Sequence, residues 1–372
     1  MFRREKKTAV LAEDVMAALA TVQEPELGKD LVTLKMIEDL KIEGGAVSFT
    51  VVLTTPACPL KGRIESEVRA AVEKAPGVEH IDVKFNSRVA PKFGSQTRQV
   101  LPGVAHAFAV ASGKGGVGKS TISVGIAVAL QQSGARVGLL DADVYGPNIP
   151  MMMGVEKPPR SESGKIHPAE SHGVKLMSMG FFLQGSEAAV WRGPMVGKAI
   201  QELIGTVQWG DLDYLIIDLP PGTGDASLSL AQAVPLTGAV IVTTPQDVAL
   251  SDAAKAVEMF KKLNVPILGL VENMSYFVCP HCNGRTEIFG HGGEHTARRL
   301  DLTFLGEVPL HSAIRQGGDT GLPLLITAPD SPQARSIRNV AEQAAARISV
   351  LTLKNRPAGN ISNKTFIPLT PR

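Results

Sequence analysis

Only three of the 372 residues are cysteine. Three thiols cannot build an even disulfide framework, so a secreted, disulfide-stapled fold is excluded. No stretch approaches the ~18 apolar residues without charge that a membrane-spanning helix needs. Neither sign of charge dominates: 38 Lys and Arg stand against 36 Asp and Glu, a formal net charge of +2. That balance argues neither for nor against nucleic acid. The start, Met1 to Lys7, is basic like the n-region of a secretory signal. Glu13 and Asp14 interrupt the apolar run that should follow, so a cytoplasmic chain is expected. No internal repeat is evident. What remains is ordinary globular composition, 44% hydrophobic and 20% charged. Its length suits roughly two domains with substantial cores.

The first 90 residues read as a compact α+β unit. Leu11, Val15, Leu19 and Val22 recur at helical spacing and predict a helix over 8–23. Glu24-Pro25-Glu26-Leu27-Gly28 is a loop. Strand-like runs at 36–42 and 46–53 flank Gly44-Gly45, a hairpin signal. Ile64, Val68 and Val72 mark a second helix, and Val78 to Phe85 a further strand. Residues 87–103, rich in Pro, Gly and polar side chains, read as a flexible linker with its body over 91–103.

From 104 to 353 the pattern changes. Apolar, β-branched runs at 104–111, 136–141, 173–179, 213–218, 238–244, 266–274 and 302–308 alternate with helical segments such as 194–207, 248–262 and 331–348. Continuous apolar strands imply burial on both faces, hence a mainly parallel sheet flanked by helices. The tail over 354–372 is polar, carries three prolines and reads as disordered.

Residues Gly113-Lys114-Gly115-Gly116-Val117-Gly118-Lys119-Ser120-Thr121 fit G-x-x-x-x-G-K-[ST] between a strand and a helix, the setting a phosphate-binding loop requires. Glycines let backbone N–H groups aim at phosphate oxygens. Lys119 adds a point charge, and the Ser120 hydroxyl can ligate Mg²⁺. Ligands in open α/β sheets sit at the carboxyl ends of strands. Asp141 and Asp143 follow one strand there, and either could be no more than a helix cap. Asp218 ends another, the Walker-B arrangement that holds the Mg²⁺ shell. Pro220 to Gly224 then form a loop able to switch when a phosphate leaves. Asp225 reads as the cap of the next helix. Asn273 ends a third strand. Cys279 and Cys282 form a C-x-x-C pair, able to bite one metal or cluster. One pair is half a site. A second chain could supply the rest, Cys58 could contribute, or the pair could be redox-active. Met274 to Tyr276 before the pair and Gly290, Gly292 and Gly293 after it suggest a loop insertion. Cys58 lies between a strand and a helix, where a thiol is either activated or simply packed.

The second lysine, Lys114, makes the loop resemble the "deviant" Walker loop of dimeric ATPases. With Asp141 to Pro150, Asp218 to Asp225, Glu272-Asn273-Met274-Ser275-Tyr276 and the cysteine pair, the second domain resembles the Mrp/ApbC-type iron–sulfur cluster carrier ATPases. The first, through Glu24 to Gly28 and Thr54 to Leu60, is similar to the small domain of iron–sulfur and phenylacetate-assembly proteins. The resemblance implies a P-loop NTPase fold and ATP with Mg²⁺. It implies that Lys114 reaches across a homodimer to the partner's nucleotide and that Asp143 positions the attacking water. It places Asp141 beyond the metal's direct ligands and sets Asn273 on the adenine. A [4Fe-4S] cluster would bridge the dimer through Cys279 and Cys282, for delivery to apo-proteins in exchange with assembly scaffolds, without nucleic acid or membrane. The rival readings are a ParA/MinD-like positioning or partition switch, a nitrogenase-iron-protein-like reductase and a structural zinc site.

Overall fold

The computed structural model describes residues 9–91, 100–162, 164–182, 193–279, 281–282 and 284–354. The basic start as far as Thr8, linker residues 92–99 and the tail beyond Lys354 lie outside them. The chain divides into two compact units, one of residues up to Ala90 together with the end of the last helix from Ser349, the other Pro91–Ile348, each with its own apolar core.

The first unit comprises α1 (Ala12–Leu19), β1 (Ile37–Glu43), β2 (Ala46–Leu53), α2 (Lys61–Val72) and β3 (His80–Ser87). β2 is central, antiparallel to β1 and parallel to β3. The hairpin turns at Gly44, whose φ of 61° suits glycine. A parallel neighbour needs a crossover, which α2 supplies. Val47, Phe49 and Val51 alternate into a core shared with Leu19, Ile64 and Val68. The helix predicted over 8–23 is shorter. It ends at Leu19, where the Thr21 hydroxyl donates to the Ala18 carbonyl and Gln23–Glu24 pairs with Lys29–Asp30. Cys58 is half-buried and packs against this core.

The second unit contains β4 (Val104–Ser112), α3 (Lys119–Gln132), β5 (Val137–Asp141), β6 (Ala169–Ser171), β7 (Val174–Ser178), α4 (Gly193–Thr206), β8 (Leu212–Asp218), α5 (Asp225–Ala233), β9 (Gly238–Thr243), α6 (Asp247–Lys262), β10 (Ile267–Val278), β11 (Arg285–Thr286), α7 (Gly293–Arg299), β12 (Phe304–Leu310) and, as far as Ile348, α8 (Pro332–Lys354). Strand order is β6-β7-β5-β8-β4-β9-β10-β11, with β12 also on β10. All pairs are parallel except the two edges, β6 with β7 and β10 with β11. β8 and β9 are buried at every position, as a sheet covered on both faces demands. Leu101, at the end of the expected linker, is buried in this core.

Two expectations are corrected. The strand expected over 266–274 does not stop there: β10 runs on to Val278, because Phe277 and Val278 pair with Thr286 and Arg285. Asp225 is the first residue of α5 and makes no capping hydrogen bond, the N-cap being Gly224. Its charge still suits the positive end of the helix.

Candidate nucleotide site and cysteine turn

The carboxyl ends of β4, β5 and β8 bring together the phosphate-binding loop, Asp141 and Asp218, and Asn273 joins them from inside β10, whose end it does not form. The loop leaves β4 at Ser112 and enters α3 at Lys119. Two of its glycines are sterically required. A Cβ on Gly113 would stand 2.1 Å from the backbone carbon of Asp252 in α6. Gly118 has φ 82°, and a Cβ there would meet Asn273 Nδ2 at 2.1 Å. That same Nδ2 donates to the Val117 carbonyl at 2.8 Å. Asn273 is therefore buried against the loop and not a surface asparagine.

Asp218 is wholly buried at the end of β8 and accepts three hydrogen bonds. They come from Lys119 Nζ at 2.6 Å, Ser120 Oγ at 2.7 Å and Ser123 Oγ at 2.6 Å. Such a charge is tolerable inside a protein only when paired and fully hydrogen-bonded. Lys119 Nζ also lies 3.9 Å from Asp143 Oδ2. The other Asp143 oxygen accepts the N–H groups of Tyr145 and Gly146. Asp143 thus fixes the turn after β5 while facing the lysine.

Asp141 is buried at the end of β5. Its oxygens accept the N–H groups of Asp143 and Ile149 and the hydroxyl of Ser178, the last at 2.8 Å. Burial first, then the nearby negative charge of Asp218, push its pKa up from 3.8 to about 7, against the pull of Ser178, the Asp143 N–H and Lys119. A cavity of about 430 Å³ opens over the loop, lined among others by Lys114, Lys119, Thr121, Asp143, Tyr145 and Pro221. Lys114 is half-buried, and among the described residues its ammonium has no ion-pair partner. The convergence of Ser120 Oγ on the Asp218 carboxylate provides the hard oxygen donors that Mg²⁺ prefers.

Beyond Asn273, β10 leads to Cys279. The Cys279 N–H donates to the Gly284 carbonyl at 3.0 Å and closes a turn that carries both thiols. Cys279 is half-exposed and Cys282 exposed. The backbone N–H of His281, then that of Cys282 and the Cys282 thiol, lower the pKa of Cys279 below the ordinary value for cysteine. The thiolate is the form that ligates metal.

The family described as NUBPL iron-transfer P-loop NTPase matches residues 103–345. The chain belongs to this family. Residues 12–84 match a second family, described as iron-sulfur cluster assembly protein. The iron-sulfur cluster carrier protein of Deinococcus radiodurans is 50% identical over 347 residues, 92% of this chain and 97% of that protein. The Escherichia coli protein of the same name is 40% identical over 346 residues, 92% and 94% of the two chains. Among solved structures, an ADP-bound nucleotide-binding protein from Archaeoglobus fulgidus, with cobalt found in it, has a TM-score of 0.57 at 39% identity. The similarity covers 64% of this chain and 94% of that one. The cell-division ATPase MinD of Pyrococcus furiosus has a TM-score of 0.52 at 23% identity, over 64% and 97% of the chains, a likeness of fold alone.

In this NUBPL-type NTPase, two polar contacts escaped the sequence reading. Ser123 stands one helical turn after Lys119, so helix spacing could have turned it toward Asp218. Ser178 lies 37 residues from Asp141, and no local pattern announces it.

Proposed function

We propose that the protein is an ATP-hydrolysing iron–sulfur cluster carrier that works as a homodimer and delivers clusters to apo-proteins. The observation that supports it best is family membership along nearly the whole chain, joined to a thiol pair in the turn that follows the strand touching the phosphate loop. In this reading the backbone N–H groups of residues 113–121 and the Lys119 ammonium bind the phosphates. Ser120, with Asp218 behind it, holds Mg²⁺, which would neutralise developing charge on the transferred phosphoryl group. Asp143 orients the attacking water, with Asp141 fixing the turn that carries Asp143. Asn273 faces the adenine, and Lys114 serves the nucleotide of the partner subunit. Cys279 and Cys282 from each protomer ligate one [4Fe-4S] cluster, the cargo. Assembly scaffolds supply it, and nucleic acid and membrane play no part. No helix among the described residues is long and apolar enough to cross a membrane, and the proposed location is the cytoplasm.

The test is anaerobic reconstitution with iron and sulfide, comparing the native protein with a Cys279→Ala/Cys282→Ala variant. A broad visible absorbance and roughly four irons per dimer, both lost in the variant, are expected for one shared Cys₄ cluster. Zinc retention without cluster uptake would refute the carrier reading and leave a P-loop NTPase of another role. A stable cluster that cycles redox state without passing to acceptors would favour a reductase.

A further inference from the structure

We infer that Arg285 and Glu307 are positioning residues that hold the cysteine turn in register for its cluster. The inference rests on the reading that Cys279 and Cys282 bind one. After Asn273, β10 bends: Met274 has φ 54°, and the pairing with β12 shifts register between Asn273 and Phe277. The bend is clamped by Ser275, whose Oγ lies 2.5 Å from Glu272 Oε1 and 3.0 Å from Glu307 Oε2. One hydroxyl carries one proton and satisfies one of these carboxylates at a time. Glu272, with no exposure, is completed by the N–H groups of Gly292 and Gly293 and by His291 Nδ1. Glu307 is completed by Arg285, whose two guanidinium nitrogens meet its two oxygens at 3.1 and 3.0 Å.

Arg285 belongs to β11, the short strand that returns from the cysteine turn and pairs with Phe277 and Val278. Its guanidinium also lies over the Tyr276 ring, 3.9 Å from the centroid. One side chain thus fastens the returning arm of the turn to β12 through Glu307 and to β10 through Tyr276. A planar fork with a stacked face fixes direction as well as distance, which a lysine at the same place cannot do. Glu272, His291 and Glu307 offer ligand atoms within 4.8 Å of one another. Arg285 occupies both oxygens of Glu307, and two backbone N–H groups hold one oxygen of Glu272. The group is therefore a hydrogen-bonded network, closed on one side by the Arg285–Glu307 ion pair, rather than a metal site of its own. Neither Arg285 nor Glu307 is among the proposed cluster ligands, and neither lines the cavity over the phosphate loop. Their action on the cluster is through the geometry of the turn.

The test compares native protein, Arg285→Lys and Glu307→Gln after anaerobic reconstitution. It reads the rate of iron loss to a chelator and the visible and reduced-state paramagnetic spectra. Supporting groups around metal ligands typically carry about tenfold or more in metal affinity. Both variants should lose iron about tenfold faster than native protein, with altered spectra, while ADP binding and the urea midpoint stay near native values. Native loss rates and spectra in both variants would overturn the positioning role and leave cluster binding intact. Failure of the native protein itself to load a cluster would overturn the carrier reading and this inference together.

Discussion

Lys119 Nζ lies 2.6 Å from Asp218 Oδ2, and the lysine side chain is 6% exposed and the aspartate 0%. The charge proposed for phosphate and the carboxylate proposed for the metal shell are thus one buried ion pair. Lys119→Ala leaves Asp218 facing two hydroxyls. Breaking a buried pair by removing one member costs about 3 kcal/mol. The variant should lose that much stability in urea and also lose ATP hydrolysis by on the order of 100-fold, as for a lost transition-state donor. Native stability with lost hydrolysis would separate the lysine's catalytic role from a structural one.

Ser123→Ala removes one of the three donors on Asp218 and leaves the other two. The expected cost is about 1 kcal/mol, the usual worth of a buried hydrogen bond. Mg²⁺-dependent nucleotide binding should weaken because the carboxylate gains freedom to rotate. Isothermal titration with Mg·ADP checks the second effect and denaturant titration the first.

Gly113→Ala tests packing rather than backbone freedom, since the obstacle is the α6 backbone at Asp252. Overpacking of this kind costs about 1–3 kcal/mol. The loop must shift off α6, so ADP affinity should fall together with the thermal midpoint. A variant with native affinity would show that α6 yields instead.

The acid at position 141 has a pH signature. Its folded pKa, about 7, lies above its ordinary value of 3.8. Between these values the folded chain keeps a proton that the unfolded chain has lost. Stability from this group is therefore greatest below about pH 4, falls as pH rises through 4 to 7, and levels above that, with a slope of at most about 1.4 kcal/mol per pH unit. Asp141→Asn should remove this contribution. Urea midpoints at several pH values, without nucleotide or Mg²⁺, check it. An unchanged profile in the variant would assign the slope to other groups.

Cys279 should be alkylated by iodoacetamide at lower pH than an ordinary thiol, because backbone N–H groups and the Cys282 thiol stabilise its thiolate. Cys282→Ala should move the profile upward, since one of those donors is gone. Mass spectrometry of Cys279 modification across pH checks it in cluster-free protein.

The phosphate loop, its strands and the acidic strand ends were legible because their signals are local. A G-x-x-x-x-G-K-S run between a strand and a helix declares itself within twenty residues. Ser178 was not legible, since its meeting with Asp141 depends on β7 lying beside β5 in the finished sheet. The end of β10 was misread for a related reason. Cysteine, proline and glycine downstream look like a loop, yet pairing with β11 and β12 carries the strand through to Val278. The clamp of Glu307 on Ser275 and Arg285 spans 32 and 22 residues, beyond any periodic pattern. Asp225 looked like a cap because its type fits one, but the helix begins at Asp225 itself, after Gly224.

β9 stops at Thr243, opposite Glu272, while β10 continues to Val278. The last six residues of β10, Asn273 to Val278, therefore lie beyond that flank, held instead by β12 on the other side and by β11 at the end. Asn273 touches the phosphate loop, and Cys279 follows Val278 directly. The loop contact and the thiol turn are thus joined by a covalent path of one short, bent stretch of strand.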